Sequence, residues 1–210
     1  MNYGTELYLV RHGQSIHNQE QTIAGRLDSE LTPQGFEDAL HVARAIGRND
    51  FDLVYSSDLR RAHQTAEILV EALHLNCPVV TTPLLRELDY GCYTNTPVGE
   101  AATYLDYRVN QDKKYPGGEG FQDLERRVVH FLVRLRTEGS GKRTLIAAHA
   151  GSIRMLLILL VPDRRVEFLG QSFGNRYLGQ MTFDQAWNLM TYRWVADVSG
   201  ILRPGDEING

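Results

Sequence analysis

Two histidines, two arginines and one glutamate in this sequence carry the chemistry that phosphoryl transfer requires. They are His12, His149, Arg11, Arg61 and Glu87. A neutral imidazole is a nucleophile that forms covalent intermediates, and the arginine guanidinium matches phosphate oxygens with a rigid fork of donors. A carboxylic acid can supply the proton that a leaving alcohol needs. Together these groups are sufficient to move a phosphoryl group without a metal ion.

A metal site is the natural alternative for a pocket that is rich in histidine. His12, His17 and His149 are the possible ligands. Arg11 and Arg61 stand close to them in the sequence motifs and would repel a cation. We therefore expect no metal ion and no other cofactor.

Four short apolar runs precede the reactive residues and are expected to form strands. They cover residues 7–10, 52–55, 78–81 and 144–148. Arg11 and His12 come directly after the first run, Arg61 follows the second, Glu87 follows the third and His149 follows the fourth. In a parallel sheet, ligands bind beyond the carboxyl ends of the strands. The sequence therefore predicts that these side chains meet at one edge of the sheet.

Helical periodicity fills the intervals between the strands. Thr32 can cap a helix that opens at Pro33 and ends at Gly47. The apolar face expected for this helix consists of Phe36, Leu40, Ala43 and Ile46. Ser57 can cap the next helix. Its expected apolar face consists of Ala62, Ala66, Leu69 and Leu73.

The alternation of strands and helices predicts an α/β fold with a mainly parallel central sheet and helices on both faces. Further helices are expected over residues 121–135 and 153–160, and a C-terminal β-hairpin over residues 180–183 and 189–193. Residues 88–119 are rich in Gly and Pro and have weak helical periodicity. We interpret this segment as a small excursion that contributes to a substrate lid.

The composition fits one α/β domain over residues 1–210, with the lid at about 88–119 as an insertion. The net charge of −4 lacks the basic footprint of a nucleic-acid or membrane binder, and no apolar run is long enough to span a bilayer. The N-terminus does not have the pattern of a signal peptide. The spacing of Cys77 and Cys92 predicts neither a disulfide framework nor a zinc site. We expect a cytoplasmic protein with reduced thiols, and the sequence leaves a homo-oligomer open.

Five sequence blocks resemble, in order, the motifs of the histidine phosphatase superfamily, the group that contains the cofactor-dependent phosphoglycerate mutases. The blocks are LVRHGQS at residues 9–15 with Asn18, GRLD at 25–28 with LTPQG at 31–35, SSDLRRAHQTA at 56–66, PGGE at 116–119 and AHAGSIR at 148–154. A lone Arg-His-Gly would be a weak signal, whereas five blocks in the family order are specific. The resemblance implies the phosphoglycerate mutase-like fold and a phosphohistidine intermediate.

The resemblance also implies roles for individual residues. His12 matches the nucleophile, and Arg11, Arg61 and His149 match the groups that hold the transferring phosphate. Asn18 matches a further phosphate donor. The resemblance therefore implies a small phosphorylated substrate.

Glu87 aligns with the proton donor of the family, although Glu119 and Asp89 are nearby carboxylates that could serve instead. Two positions depart from the family pattern close to the site. Ala150 replaces the first of two glycines after the second histidine, which is a small change in backbone freedom. Residues 91–96 lack the aromatic-Glu-Gly that usually follows the acid in the family. The resemblance therefore does not predict which residues form the pocket wall here.

Three functions remain for such a site: a phosphatase, a phosphoglycerate mutase and a non-catalytic module that binds a phosphorylated ligand. A binding module would need neither a nucleophile nor an acid. A mutase needs a second cluster of basic groups for the bisphosphate intermediate, and Arg86 and Arg108 are the nearby candidates. The excursion is short and its basic residues are Arg108, Lys113 and Lys114. We therefore expect a phosphatase.

Overall fold

The computed structural model of the protein describes residues 4–47, 50–98 and 111–196. Its centre is a six-stranded sheet in the order β3-β2-β4-β1-β5-β6. The strands are β1 (Thr5–Arg11), β2 (Leu53–Ser57), β3 (Val79–Thr82), β4 (Arg143–Ala148), β5 (Leu178–Phe183) and β6 (Leu189–Ala196). Strands β1 to β4 are parallel, whereas β5 runs antiparallel to both β1 and β6. The predicted α/β class, the mainly parallel sheet and the C-terminal hairpin are confirmed.

Helices cover both faces of this sheet. They are α1 (Ile16–Gln19), α2 (Pro33–Ile46), α3 (Arg60–Ala72), α4 (Phe121–Gly139), α5 (Ala150–Leu160) and α6 (Arg165–Gly170). Strand β1 shows the division, because Tyr8 and Val10 pack in the core beneath α2 and α3, while Leu7 and Leu9 pack in the core beneath α4 and α5. This alternation is the period-two pattern of a strand buried on both faces. None of the described helices is both long enough and apolar enough to cross a membrane.

Helix α2 begins and ends as predicted, and Ala43 and Ile46 are buried as predicted, but the first turn buries a different face. Thr32 Oγ1 accepts the Gly35 backbone N–H at 3.1 Å, and Gly47 ends the helix with a φ of +69°. Phe36, however, is 45% exposed, so its predicted place in the core is wrong. A Cβ at Gly35 would lie 2.1 Å from the Gln14 carbonyl oxygen. Because position 35 faces the loop after β1, its neighbour Phe36 is turned about 100° away, toward solvent.

The predicted capping role of Ser57 is also wrong. Helix α3 starts at Arg60 after an N-cap, Leu59, whose side chain makes no cap hydrogen bond. Ser57 Oγ instead accepts the Leu59 N–H at 3.3 Å and lies 2.8 Å from Nε2 of His149. The hydroxyl is therefore engaged by a neighbouring strand end rather than by the first turn of the helix.

The connections after β1 and β4 leave the sheet on opposite faces. β1 leads to α2 on one face, whereas β4 leads to α5 on the other. The two strands are direct neighbours, and their last paired residues are Arg11 and Ala148. The loops above them therefore diverge and leave a crevice at their carboxyl ends, which is where ligands bind in open parallel sheets.

The structure describes the excursion that begins at residue 88 on both sides of residues 99–110. Residues 99–110, which include Arg108, lie outside the described residues. Its two flanks are held together, because Cys92 N–H donates to the Pro116 carbonyl and Glu119 N–H donates to the Asp89 carbonyl, both at 2.9 Å. The lid interpretation of this segment stays a prediction.

Candidate active site

A cavity of about 230 Å³ opens over the carboxyl ends of β1 and β4. Of the six residues that the sequence predicts for the site, five line it, namely Arg11, His12, Asn18, Arg61 and Glu87. The sixth, His149, is fully buried directly beside His12, with the two ring centroids 5.1 Å apart. The structure therefore confirms that these residues, which follow different strands, meet at one edge of the sheet. Their individual roles stay predictions.

His12 is held as a neutral imidazole whose lone pair is on Nε2. Its Nδ1 lies 2.8 Å from the Gly13 carbonyl oxygen, which can only accept, so Nδ1 carries the proton. Nε2 in turn accepts the Nε–H of Arg61 at 3.2 Å. Burial lowers the pKa of His12 well below its usual value, and the charges of Arg61 and Arg11 lower it further. Nε2 is thus the basic nitrogen of the ring and the one that can act as a nucleophile.

Arg61 is a guanidinium that is only 1% exposed. It donates Nη1–H to the Leu27 carbonyl and Nη2–H to the Gly25 carbonyl, both at 2.8 Å. Burial lowers the pKa of Arg61 to about 10, so the group is still a cation at neutral pH. With the bond to His12, three of its five N–H groups are used, and two remain to receive an anion.

Ser57 orients the ring of His149. Ser57 Oγ accepts the Leu59 N–H at 3.3 Å and forms a hydrogen bond with Nε2 of His149 at 2.8 Å, in which either group donates according to the ring tautomer. Nδ1 of His149 has no hydrogen-bond partner among the residues the structure describes. Burial, followed by the charge of Arg61, holds the pKa of His149 well below its usual value. His149 is thus a neutral ring with an unmatched Nδ1 next to His12.

The amide of Asn18 is oriented by two residues, one of them missed by the sequence analysis. Asn18 Oδ1 accepts the backbone N–H of Ser15 and the Nδ2–H of Asn175, both at 3.1 Å. Asn175 Nδ2 also donates to the His12 carbonyl at 2.9 Å. Because Oδ1 is engaged in this way, the Nδ2 donors of Asn18 are left for the cavity that the residue lines.

Glu87 is anchored by the first turn of α5. Its carboxylate accepts the Leu88 N–H at 2.8 Å and the Gly151 N–H at 3.1 Å. A Cβ at Gly151 would lie 2.1 Å from Oε1 of Glu87, so this position requires glycine, whereas Ala150 just before it is accommodated. The approach of the carboxylate explains why one glycine of the pair is retained here and the other is not.

The two alternative acids are engaged elsewhere. Glu119 pairs with Arg26 and accepts Arg127 Nε–H at 3.1 Å, and Asp89 Oδ2 lies 3.7 Å from Nη1 of Arg26. Neither carboxylate lines the cavity. Among the lining residues that the structure describes, Glu87 is the acidic one.

Asn175, Ser57 and Gly151 are the site residues whose roles the sequence analysis missed. The rule that reactive groups follow parallel strands could not find Asn175, because it precedes β5. The predicted hairpin did carry the signal: β5 runs antiparallel to β1, so the start of β5 lies at the same edge as the end of β1. Across residues 4–47, 50–98 and 111–196, no three His, Cys, Asp or Glu side chains are grouped closely enough to hold a metal ion.

A neutral imidazole beside a buried arginine, over the crevice of a mainly parallel sheet, is suited to phosphoryl transfer. The family model of the histidine phosphatase superfamily (branch 1) matches residues 7–185. The chain therefore belongs to this superfamily, as the five sequence blocks predicted.

Relatives with both phosphatase and mutase names are similar to this chain. A putative phosphoserine phosphatase 2 of Hydrogenobacter thermophilus is 34% identical over 73% of this chain and 77% of its own length. A 2,3-bisphosphoglycerate-dependent phosphoglycerate mutase of Methylorubrum populi is 32% identical over 73% and 78%. The solved structure of a mycobacterial glucosyl-3-phosphoglycerate phosphatase superposes with a TM-score of 0.78 at 25% identity, covering 92% of this chain and all of the other.

Two buried neutral histidines make the fold sensitive to mild acid. Below pH 6.5 the unfolded chain binds protons at His12 and His149, whereas the native state does not, so the free energy of unfolding must fall as the pH falls. Each histidine contributes a slope of about 1.4 kcal/mol per pH unit until its native pKa is reached. Urea unfolding at several values between pH 7.5 and 5 measures this slope.

His12→Asn and His149→Asn should each flatten the dependence, while the exposed control His130→Gln on α4 should not. Equal slopes in all four proteins would contradict the neutral, buried state of the two rings.

Proposed function

We propose that this protein is a phosphomonoesterase that hydrolyses a small phosphorylated metabolite through a phosphohistidine on His12. The observation that carries the proposal is the Nε2 lone pair of His12, held by Arg61 Nε–H at 3.2 Å on the lining of the cavity. Membership of the superfamily and the phosphatase names of its relatives support it.

In the first step, the substrate phosphate lies between Arg11, Arg61 and Asn18, with Nδ1 of His149 behind it. His12 Nε2 attacks phosphorus in line with the ester oxygen, the N–P bond forms and the P–O bond breaks. In the resting state Arg61 Nε–H donates a hydrogen bond to His12 Nε2. As the N–P bond forms, this hydrogen bond shifts to a phosphoryl oxygen, and Arg61 keeps its proton. Fixed donors that already point at the developing charge need no reorganisation in the transition state.

In the second step, water attacks the phosphohistidine and releases inorganic phosphate, which restores the neutral His12. Glu87 gives its proton to the leaving alcohol in the first step and takes one from water in the second. The sum is one ester and one water converted to one alcohol and one phosphate.

The first experiment replaces the nucleophile. His12→Ala should abolish phosphate release, a loss of at least about 10⁴-fold, because no other described group is placed to form the covalent intermediate. The native protein, quenched during turnover, should carry an acid-labile, base-stable phosphoryl group that peptide mapping assigns to residue 12. His130→Gln is the matched histidine control and should keep its activity. A phosphoryl group on any other residue would refute the assignment.

We also propose that the reaction needs no divalent metal and that the protein works in the cytoplasm as one domain of residues 1–210 with a lid at about 88–119. Arg11 and Arg61 supply the positive charge that a metal would otherwise supply. Cys77 and Cys92 are both free thiols in the structure, which is compatible with a reducing compartment.

Metal independence is tested by repeating the turnover assay after exhaustive EDTA treatment. A rate that only a divalent cation restores would contradict the proposal that no metal is needed.

The contribution of Glu87 to the rate of hydrolysis should increase with the basicity of the leaving group. An alkyl alkoxide must be protonated as it departs, whereas p-nitrophenolate leaves without help. Glu87→Gln keeps the shape and the hydrogen bonds from Gly151 but removes the acid, so it should slow an alkyl phosphate about 10²-fold or more and p-nitrophenyl phosphate much less. Glu119→Gln is the control for the alternative acid. A larger selective effect from Glu119→Gln would transfer the role to that residue.

The mutase alternative requires a firm site for a second phosphate. Arg86 was the described candidate, yet its Nε and Nη2 donate to both carboxylate oxygens of Asp58 at 2.7 and 2.6 Å. Lys114 is likewise paired with Asp123 at 2.7 Å. Arg86 and Lys114 are therefore both engaged by carboxylates, which favours water over a second phosphate ester as the acceptor from the phosphohistidine.

Phosphorus NMR distinguishes the two possible acceptors of the phosphoryl group, which are water and a hydroxyl of phosphoglycerate. With 3-phosphoglycerate, release of inorganic phosphate should exceed formation of 2-phosphoglycerate at least tenfold, with or without added 2,3-bisphosphoglycerate. The reason is that retention of the bisphosphate intermediate needs counter-charges that Asp58 and Asp123 already occupy. Rapid isomerisation with little free phosphate would replace the phosphatase by the mutase.

A further inference from the structure

We propose that Asn175 is a positioning residue for the phosphatase reaction, and that it acts by holding the amide of Asn18 in register with the nucleophile His12. This inference rests on the proposed function, because it assigns how one of the phosphate donors is set for that reaction. It comes from a tight turn between α6 and β5, in a part of the chain that none of the five sequence blocks includes.

A tight turn of residues 174–177 brings Asn175 to the active site. The Tyr177 N–H closes the turn by donating to the Gly174 carbonyl at 3.1 Å, which fixes the backbone of the two residues between them. The Tyr177 carbonyl in turn accepts the backbone N–H of Arg11 at 3.3 Å. The turn is therefore fastened to the end of β1, one residue before the nucleophile.

Arg176, the next residue of the turn, is held by helix α2. Its Nε–H donates to Oδ1 of Asp38 at 2.8 Å, and the Asp38 side chain is only 6% exposed. Oδ2 of Asp38 accepts the backbone N–H of Gln14 at 3.1 Å. Because this carboxylate is largely removed from water, losing its cation would be costly, and the pair resists opening. One carboxylate thus ties the turn to the loop that follows His12.

Both amide protons of Asn175 are committed to the active site. Nδ2 donates to the His12 carbonyl at 2.9 Å and to Oδ1 of Asn18 at 3.1 Å. The His12 carbonyl can only accept, so the atom of Asn175 that faces it must be the nitrogen. A single NH₂ group therefore bridges the nucleophilic residue and the Asn18 amide.

Local hydrogen bonds do not fix Asn18 relative to His12. The Ser15 N–H and Oγ–H both reach Oδ1 of Asn18 at 3.1 Å, as part of the capping box of α1. Helix α1 has four residues, and a helix this short has little stability of its own. Among the described residues, Asn175 is the one whose side chain hydrogen-bonds to both Asn18 and His12.

The bridge decides which atoms of Asn18 face the phosphate. With Oδ1 held by Asn175, the Nδ2 donors of Asn18 are left for the cavity that the residue lines. Without the bridge the amide would be freer to rotate, and a rotated amide presents an oxygen to the phosphate in place of its donors. Donors that are already in place need no reorganisation in the transition state. Asn175 does not line the cavity, so it acts through Asn18.

The test compares Asn175→Ala in three backgrounds with p-nitrophenyl phosphate as substrate. In the native background it should lower kcat/KM about tenfold, the effect of losing one well-placed hydrogen bond. After Asn18→Ala it should cost less than about threefold, because the amide that it positions is gone. After Glu87→Gln the loss should again be about tenfold, since other contacts set the Glu87 carboxylate.

Asn188→Ala is the matched control. Asn188 lies in the connection between β5 and β6, donates its amide N–H to Asp184 at 2.8 Å and does not line the cavity. This substitution should leave kcat/KM unchanged in all three backgrounds. If Asn175→Ala does not fold, Asn175→Ser keeps a residue that is suited to turns, and the same pattern of losses is expected.

The possible failures are distinguishable. Equal losses from the Asn175 substitution in all three backgrounds would indicate a general loosening of the fold and would overturn the inference, while the phosphatase function stands. A loss below about twofold in the native background would overturn it in the same way. If the native protein releases no phosphate from p-nitrophenyl phosphate or from an alkyl phosphate, the proposed function is wrong, and the role of Asn175 in it is wrong as well.

Discussion

The site depends on a guanidinium that is buried with no carboxylate in contact among the described residues. Arg61 is satisfied by two backbone carbonyls and by the lone pair of His12. An unpaired buried cation is costly, and the cost falls when an anion arrives between it and the imidazole. Burial lowers the pKa of His12, and the charge of Arg61 lowers it further. The same guanidinium therefore helps to keep the imidazole neutral and favours the binding of an anion such as phosphate.

The position of Arg61 depends in turn on the order of the strands. β4 inserts between β1 and β2, so the strand end that carries His12 has the strand end that carries His149 as its neighbour. β2 lies on the other side of β4 and delivers Ser57 to His149, and the helix that follows it delivers Arg61 to His12. Three strand ends are thereby linked through direct hydrogen bonds or ring contact, which is a rigid way to preorganise a charged site.

Local sequence signals were enough to predict the elements and most of the site, because those signals act over a few residues. The cap at Thr32, the stop at Gly47 and the strand before His12 are of this kind. What escaped prediction depends on contacts between distant segments: Phe36 turns outward because Gly35 presses on the loop after β1, and Ser57 is claimed by His149 from β4. Asn175 is 163 residues from His12 in the chain, and only the antiparallel direction of β5 brings it back.

Relatives of similar identity carry both phosphatase and mutase names, so the fold and the two histidines do not by themselves decide the acceptor of the phosphoryl group. The residues proposed to hold the phosphate lie at the ends of buried strands and on the helices that follow them, where packing and hydrogen bonds leave little freedom. Several of residues 21–25 and of the start of the excursion line the cavity, and backbone hydrogen bonds join the two segments. We expect substitutions there to change which alcohol is accepted without disturbing His12. Asp58 pairs with Arg86 and Asp123 pairs with Lys114, and the proposed preference for water over a second phosphate ester rests on these pairs.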